Sequence, residues 1–213
     1  MLKLYSFAQS SASYRVRIGL ALKGLEAQII PISLLDNSHQ TPEYEAINPQ
    51  GRVPFLLDGE NGISQSLAIL DFLEETHPNP SLYPIGAIRR AKCRAFAHVI
   101  ASDIFPLQNL STRRKLASDF GADEAGQAKW SAHWIDKGFT ALETELTAEK
   151  RHADAGYLFA DYPTLADICL VPQMRNARRY GVDLAKFPRL VGFDAKAAAH
   201  EAFVLTAPDT QVG

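Results

Sequence analysis

Ser10, Ser11 and Ser13 crowd the stretch Ser10-Ser11-Ala12-Ser13-Tyr14-Arg15-Val16-Arg17-Ile18, directly after an apolar opening at residues 2–7. A serine before a helix is ordinarily an N-cap, its hydroxyl accepting from amides of the first turn. One serine suffices for that. The surplus hydroxyls stand at the positive end of a helix dipole, where an anion is favoured. A thiolate is such an anion, and a hydroxyl donor together with the dipole lowers a thiol's pKa and keeps it ionised near neutral pH. The stretch has no cysteine, so the thiol would belong to a ligand.

Two more places could hold anions or a peptide. At Val53-Pro54 a proline opens an expected strand, which implies either an edge position or a cis turn. A cis turn would present the Val53 backbone to an extended peptide ligand. Gln65-Ser66 stands at the start of the next helix. Ser66 reads either as a plain N-cap or, with the free helix amides and Gln65, as a carboxylate site. Farther on, Arg175, Arg178 and Arg179 fall at i, i+3 and i+4 and share one helical face, either solvated or offering a planar fork to a carboxylate. Thr164 and Asp167 read as an acidic capping box, with Tyr162 and Ile168 as a possible staple, and speak to folding rather than chemistry.

Other chemistries find little support. His39, His77, His98, His133, His152 and His200 show no metal-ligand spacing, and neither a phosphate-cradling glycine loop nor a nucleophile elbow occurs. Cys93 and Cys169 lie far apart in apolar helical patterns, which argues against a disulfide scaffold and for a reducing, cytoplasmic setting. The 22 basic and 24 acidic residues nearly cancel, so no global field draws the chain to nucleic acid or to an anionic membrane. Neither a secretory leader nor an apolar run of membrane-spanning length is expected.

These residues need elements to position them. Residues 2–7, 13–23 and 27–32 read as strand, helix and strand, a βαβ unit with parallel pairing. Gly24 suits the helix's left-handed C-terminal cap. Residues 54–58 and 62–64 flank Asp58-Gly59-Glu60-Asn61-Gly62 and read as an antiparallel hairpin, followed by a helix over 67–76. The proline-rich segment at 77–84 reads as a linker, and helical patterns follow over 87–115, 123–146, 165–180 and 188–200. Pro106 and Pro172 should bend or divide their helices. The expected architecture is a mixed α/β domain over 1–78, a linker over 79–86 and an all-α domain over 87–213.

The serine-rich stretch resembles the signature of the zeta-class glutathione transferases, which include maleylacetoacetate and maleylpyruvate isomerases. The resemblance runs over essentially the whole chain and is carried also by NPQGRVPFL (48–56), QSLAILDFLEE (65–75), PLQNLS (106–111), PTLADICLVPQ (163–173) and YGVDL (180–184). It implies a thioredoxin-like N-terminal domain, an all-helical C-terminal domain, glutathione as cofactor and a homodimer. Ser10 and Ser11 would hold the glutathione sulfur, with Ala12, Ser13, Tyr14 and Arg15 completing the motif. Val53, beside Pro54, would pair with the cysteinyl backbone. Gln65 and Ser66 would hold the γ-glutamyl end, and Gln40 would reach the glycyl end. Asn109, Leu110 and Ser111 match the segment that lines the site from the helical domain, and Arg179 matches an arginine that meets a substrate carboxylate. Arg15 and Arg17 otherwise read as structural.

The implied reaction is reversible thiolate addition to the cis double bond of a maleyl keto acid, rotation, and elimination to the fumaryl isomer. Three positions depart from the family pattern. Ala12 stands where many members have cysteine, Gln9 where arginine is common, and Phe105 where relatives are polar. A neutral amide in place of an arginine fork weakens a dicarboxylate contact by about 1.5–3 kcal/mol. Two other functions therefore stand beside isomerisation: conjugation of glutathione to small electrophiles such as α-haloacids, and noncatalytic binding by a glutathione-transferase fold.

Overall fold

The computed structural model describes residues 1–151 and 153–211, so His152 lies outside the described residues. The chain divides into two compact units, Met1–Leu82 with Ala199–Gly213, and Tyr83–Ala198. The first boundary falls inside the expected linker. The second differs from expectation: the final segment belongs with the first unit rather than with the helices that precede it.

The first unit is built on a four-stranded sheet. β1 (Leu2–Ser6), α1 (Ser11–Leu22) and β2 (Ala27–Pro31) form the expected βαβ unit, with β1 and β2 parallel. β3 (Phe55–Asp58) and β4 (Asn61–Ser64) form the antiparallel hairpin, and the strand order is β2-β1-β3-β4. Leu4 pairs with Leu56 in the ladder, and both are wholly buried with Val16, Leu20, Ile69 and Leu73 in one apolar core. α3 (Ser66–Thr76) supplies the last two. Gly24, at φ +63°, closes α1 in the left-handed region that glycine tolerates best. A 3₁₀ turn at Ser38–Gln40 and α2 (Pro42–Ile47) interrupt the connection to β3, which the sequence pattern left without elements.

α1 and α3 are locked in register. Arg15 Nη1 donates to Ser66 Oγ at 3.4 Å, and eight residues later Lys23 Nζ meets Glu74 Oε2 at 2.9 Å. Equal spacing on both helices means that they run parallel, with both N-termini at the same end of the unit. Between these contacts, a Cβ on Gly19 would fall 2.2 Å from Leu70 Cδ2, so glycine permits the close approach. The final segment, with α10 (Glu201–Leu205), packs on α1: the Tyr14 hydroxyl donates to the Phe203 carbonyl at 2.8 Å.

The second unit is helical: α4 (Ala87–His98), α5 (Phe105–Gln108), α6 (Leu110–Phe120), α7 (Glu124–Ala148), α8 (Leu165–Arg179) and α9 (Pro188–Ala198). The long helical pattern from residue 87 breaks at Asn109 rather than at Pro106. A π-helical turn at Val99–Ile104 runs directly into α5, with the Phe105 amide donating to Ile100 O, and Pro106, which lacks an amide donor, follows it. α8 runs on through Pro172 undivided. At its start Asp167 closes the capping box, accepting from the Thr164 amide and hydroxyl, each at 2.8 Å, and from the Leu158 amide at 3.1 Å. Among the described residues no helix is long and apolar enough to cross a membrane.

Complete burial pushes the Asp167 carboxyl up from 3.8 to about 6. The folded chain therefore keeps a proton that the unfolded chain releases, and this contribution to stability is full below pH 4 and is lost as pH rises through 6. Asp167→Ala should lower unfolding free energy by about 2–3 kcal/mol, because it strands buried donors. The gap from the parent should be wider at pH 4.5 than at pH 7 in urea unfolding.

Candidate active site

The loop from β1 to α1 delivers the serines. Ser10 is the N-cap of α1: its Oγ accepts from the Ser13 amide at 3.2 Å, and its own amide donates to Phe7 O at 3.0 Å. With a lone pair engaged by Ser13, the Ser10 hydroxyl is fixed in place while its proton goes to no described residue. Ser11, in the first turn, has a hydroxyl that makes no hydrogen bond with any described residue. Ser13 is wholly buried, and its Oγ accepts from the Phe7 amide at 3.4 Å. The three hydroxyls thus divide into one that holds the loop, one that caps, and one that does neither. Ala12 is buried, whereas Gln9 is exposed just ahead of the cap.

Arg15 and Arg17 are buried, and both are engaged. Arg15 reaches Ser66 through Nη1. Arg17 donates through Nη1 to Ser6 Oγ at 3.0 Å, through Nη2 to Ala8 O at 3.0 Å and through Nε to Thr206 O at 3.1 Å. Burial lowers its pKa from 12.5 to about 10, so it is still charged at neutral pH.

Ser66 is not the N-cap of α3. Gln65 occupies that position at φ +70°, no side chain caps the helix, and Ser66 is its first residue. The plain capping reading of Ser66 is thereby removed, and the N-terminus of α3, without a side-chain cap, lies at the same end of the unit as the serines of α1. Gln65 Nε2 donates to Gln50 Oε1 at 2.9 Å. Gln50 was not singled out from the sequence, although it lies within NPQGRVPFL.

Val53-Pro54 is cis and leads into β3, an interior strand, so the edge alternative does not apply. The preceding carbonyl is held firmly: Arg52 O accepts from the Tyr44 hydroxyl and from Asn48 Nδ2, both at 2.7 Å. α2, absent from the expected elements, is what carries Tyr44. Gln40 is exposed at the end of the 3₁₀ turn.

The remaining candidates lie in the second unit. Asn109 caps α6, its Oδ1 accepting from the Thr112 amide at 3.0 Å and from the Ser111 hydroxyl at 2.7 Å. That accounts for the side-chain oxygen of Asn109. Leu110 and Phe105 are half-buried. The three arginines of α8 do not act as one face. Arg178 pairs with the buried Asp194 of α9, while the Arg179 guanidinium lies 5.8 Å from the Tyr180 ring centre, with Arg113 of α6 at 5.5 Å from the same ring. Among the described residues no cluster of His, Cys, Asp or Glu could hold a metal ion.

A spare hydroxyl at one helix N-terminus and an uncapped second terminus beside it are donor sites waiting for acceptors. A four-stranded βαβ–ββα unit and an all-helical unit are the architecture of the glutathione transferases, and a model of the glutathione S-transferase N-terminal domain matches residues 1–75. The chain is 42% identical over 213 residues to the maleylacetoacetate isomerase of Pseudomonas aeruginosa, covering 99% of this chain and 97% of that one. A solved maleylpyruvate isomerase, described as a bacterial zeta-class glutathione transferase, superposes with a TM-score of 0.94 at 41% identity over 98% of each chain. A maleylacetoacetate isomerase from Anaeromyxobacter dehalogenans, solved with dicarboxyethyl glutathione and citrate, gives a TM-score of 0.86 at 38% identity, over 99% of this chain and 92% of that one. The chain belongs to the zeta-class glutathione transferase family.

The two leading serines differ in what their loss should cost. Ser10→Ala removes an N-cap and should lower unfolding free energy by about 1 kcal/mol. Ser11→Ala removes a hydroxyl that binds nothing within the described chain and should stay within about 0.5 kcal/mol of the parent in the same denaturation experiment.

Proposed function

We propose that the protein is an enzyme that uses glutathione to isomerise maleylacetoacetate, or a close maleyl keto acid, to the fumaryl form. The observation that carries the reading is the pair of parallel helix N-termini, one carrying the Ser10 and Ser11 hydroxyls, whose protons no described residue takes, and the other without a side-chain cap, in a chain 42% identical to a maleylacetoacetate isomerase. Glutathione supplies the thiolate, which adds to the double bond and leaves again unchanged.

The chain's own groups hold and orient. Ser10, its oxygen pinned by Ser13, donates its proton toward the sulfur, with Ser11 as a second donor and the α1 dipole favouring the anion. Gln65, Ser66 and the amides of α3 take the γ-glutamyl carboxylate. The Val53 backbone, turned by Pro54, pairs with the cysteinyl unit, and Gln40 meets the glycyl end. Ser13 and Arg15 support this set from beneath. In this reading Asn109, Leu110 and Ser111 line the cofactor from the helical domain. Arg179 offers its fork to a substrate carboxylate, and Gln9, Ala12 and Phe105 are the further positions assigned to the second substrate. The unit on the sheet is thus the glutathione domain and the helical unit the second-substrate domain. A homodimer working in the cytoplasm belongs to the same reading, supported by two buried free cysteines.

A second reading has its own observation. Gln9 is neutral and Phe105 apolar where a dicarboxylate is best met by charge, which favours conjugation of small electrophiles such as α-haloacids. Purified protein given maleylacetoacetate with and without glutathione separates the readings. Fumaryl product that requires glutathione without consuming free thiol establishes isomerisation. Thiol consumed with haloacids, and no fumaryl product, establishes conjugation. Glutathione binding weaker than about 1 mM, with neither activity, marks a noncatalytic protein. In the isomerase assay Ser10→Ala should lose about 100-fold or more in turnover and Ser11→Ala about 10-fold or less.

A further inference from the structure

Arg17 makes more contacts than a helix-anchoring role requires. It lies two turns below Ser10 on α1, yet its guanidinium reaches back to the loop that precedes the serines. Besides Ser6 Oγ and Ala8 O, Nη1 approaches Phe7 O at 3.4 Å, the same carbonyl that accepts the Ser10 amide at 3.0 Å. One cation therefore fixes three successive residues of the loop and shares an acceptor with the serine itself. The opposite edge of the guanidinium, through Nε, donates to Thr206 O in the final segment of the chain. That segment is held to the same helix by the Tyr14 hydroxyl on Phe203 O, and the Arg17 guanidinium carbon lies 5.5 Å from the Tyr14 ring centre.

From these contacts we infer that Arg17 is a positioning residue for the thiol-binding serines, and that the final segment of the chain, through Phe203 and Thr206, sets the orientation of its guanidinium. The donor that meets the sulfur is thus tied to residues almost two hundred positions away in sequence. Lysine cannot stand in, because a single ammonium on a flexible stem cannot span acceptors on two sides as a planar fork does. This inference rests on the proposed glutathione site for one of its two readouts.

The test compares full-length Arg17→Lys and Tyr14→Phe with the parent. Amide hydrogen exchange of the ligand-free proteins reads the loop directly, and the thiolate absorbance of bound glutathione, titrated against pH, reads the serine donors. Urea unfolding corrects for global stability. Arg17→Lys should exchange the hydrogen-bonded amides of Ser10 and Ser13 at least tenfold faster than its stability change alone predicts, and should raise the bound thiol's pKa by about one unit, a tenfold loss of thiolate at a pH well below both values. Tyr14→Phe keeps Arg17 and loosens only the final segment, so both effects should appear at two- to fivefold. It also carries the test should Arg17→Lys fail to fold. Lowered stability with unchanged local exchange at residues 10–13 and an unchanged thiol titration would reduce Arg17 to a structural role and overturn the inference. Faster exchange in the final segment of Tyr14→Phe without any change at residues 10–13 would overturn the coupling. A parent protein that shows no thiolate band faults the glutathione reading instead, and the exchange experiment still decides the role of Arg17.

Discussion

A helix buried on every side, yet built from serines and arginines, is the constraint from which the first unit follows. Every residue of α1 from Ser11 to Leu20 is buried, including Arg15 and Arg17. Charges taken out of water are tolerated only when each is met by acceptors. The strand before the helix, the helix beside it and the last segment of the chain all supply those acceptors. Ser66 takes Arg15, the loop at residues 6–8 and Thr206 take Arg17, and Glu74 with the His77 and Pro80 carbonyls takes Lys23. The polar groups of α1 thus determine where its neighbours lie as much as the apolar core does.

The arrangement of the candidate site is a by-product of the same contacts. The Arg15–Ser66 and Lys23–Glu74 pairs hold α1 and α3 parallel, so two positive helix ends arrive together. The Lys23 end also secures the chain's exit from the unit, because Glu74 accepts from the Ser81 hydroxyl at 2.6 Å and the Leu82 amide at 2.8 Å. A buried pair of this kind adds little to stability against an apolar replacement, but removing one partner costs about 3–5 kcal/mol. Its effect is on register: a slip of α3 by one turn against α1 would strand a lysine and a carboxylate together.

Much of this was legible in the sequence because the signals were local. The βαβ unit, the hairpin around Asp58-Gly59-Glu60-Asn61-Gly62 and the capping box at Thr164 and Asp167 depend on residues within a few positions of one another. The misses have longer reach or compete with polar composition. α2 is only six residues long in a polar stretch, and its signal, Thr41 capping ahead of Pro42, is short. The helical pattern is interrupted near Pro106, as expected, but the break itself falls at Asn109, whose extended backbone and side chain cap α6, and the π-helical turn at Val99–Ile104 is announced by no periodicity. The final segment carries a helical pattern like that of the second unit. What assigns it to the first is Arg17 and Tyr14, nearly the whole chain away.

The candidate site shows the same division in sharper form, because residue type and spacing identify a group's chemistry but not whether the fold has already used it. Ser10, Ser11 and Ser13 are alike in sequence, yet internal hydrogen bonds occupy the oxygens of Ser10 and Ser13, and among the described residues none reaches the hydroxyl of Ser11. Arg178 and Arg179 are adjacent, yet a carboxylate sixteen residues on consumes the first, whereas the second rests against an aromatic ring. Ser66 differs again: it resembles a cap, but Gln65 holds the capping position without supplying a capping bond. A satisfied cap, such as Ser10 on α1, takes up one first-turn amide and leaves an outside anion to be met by the serine hydroxyls. An N-terminus left uncapped and paired with a second one keeps its amides for an outside anion, and that unspent capacity distinguishes a site from a well-made fold.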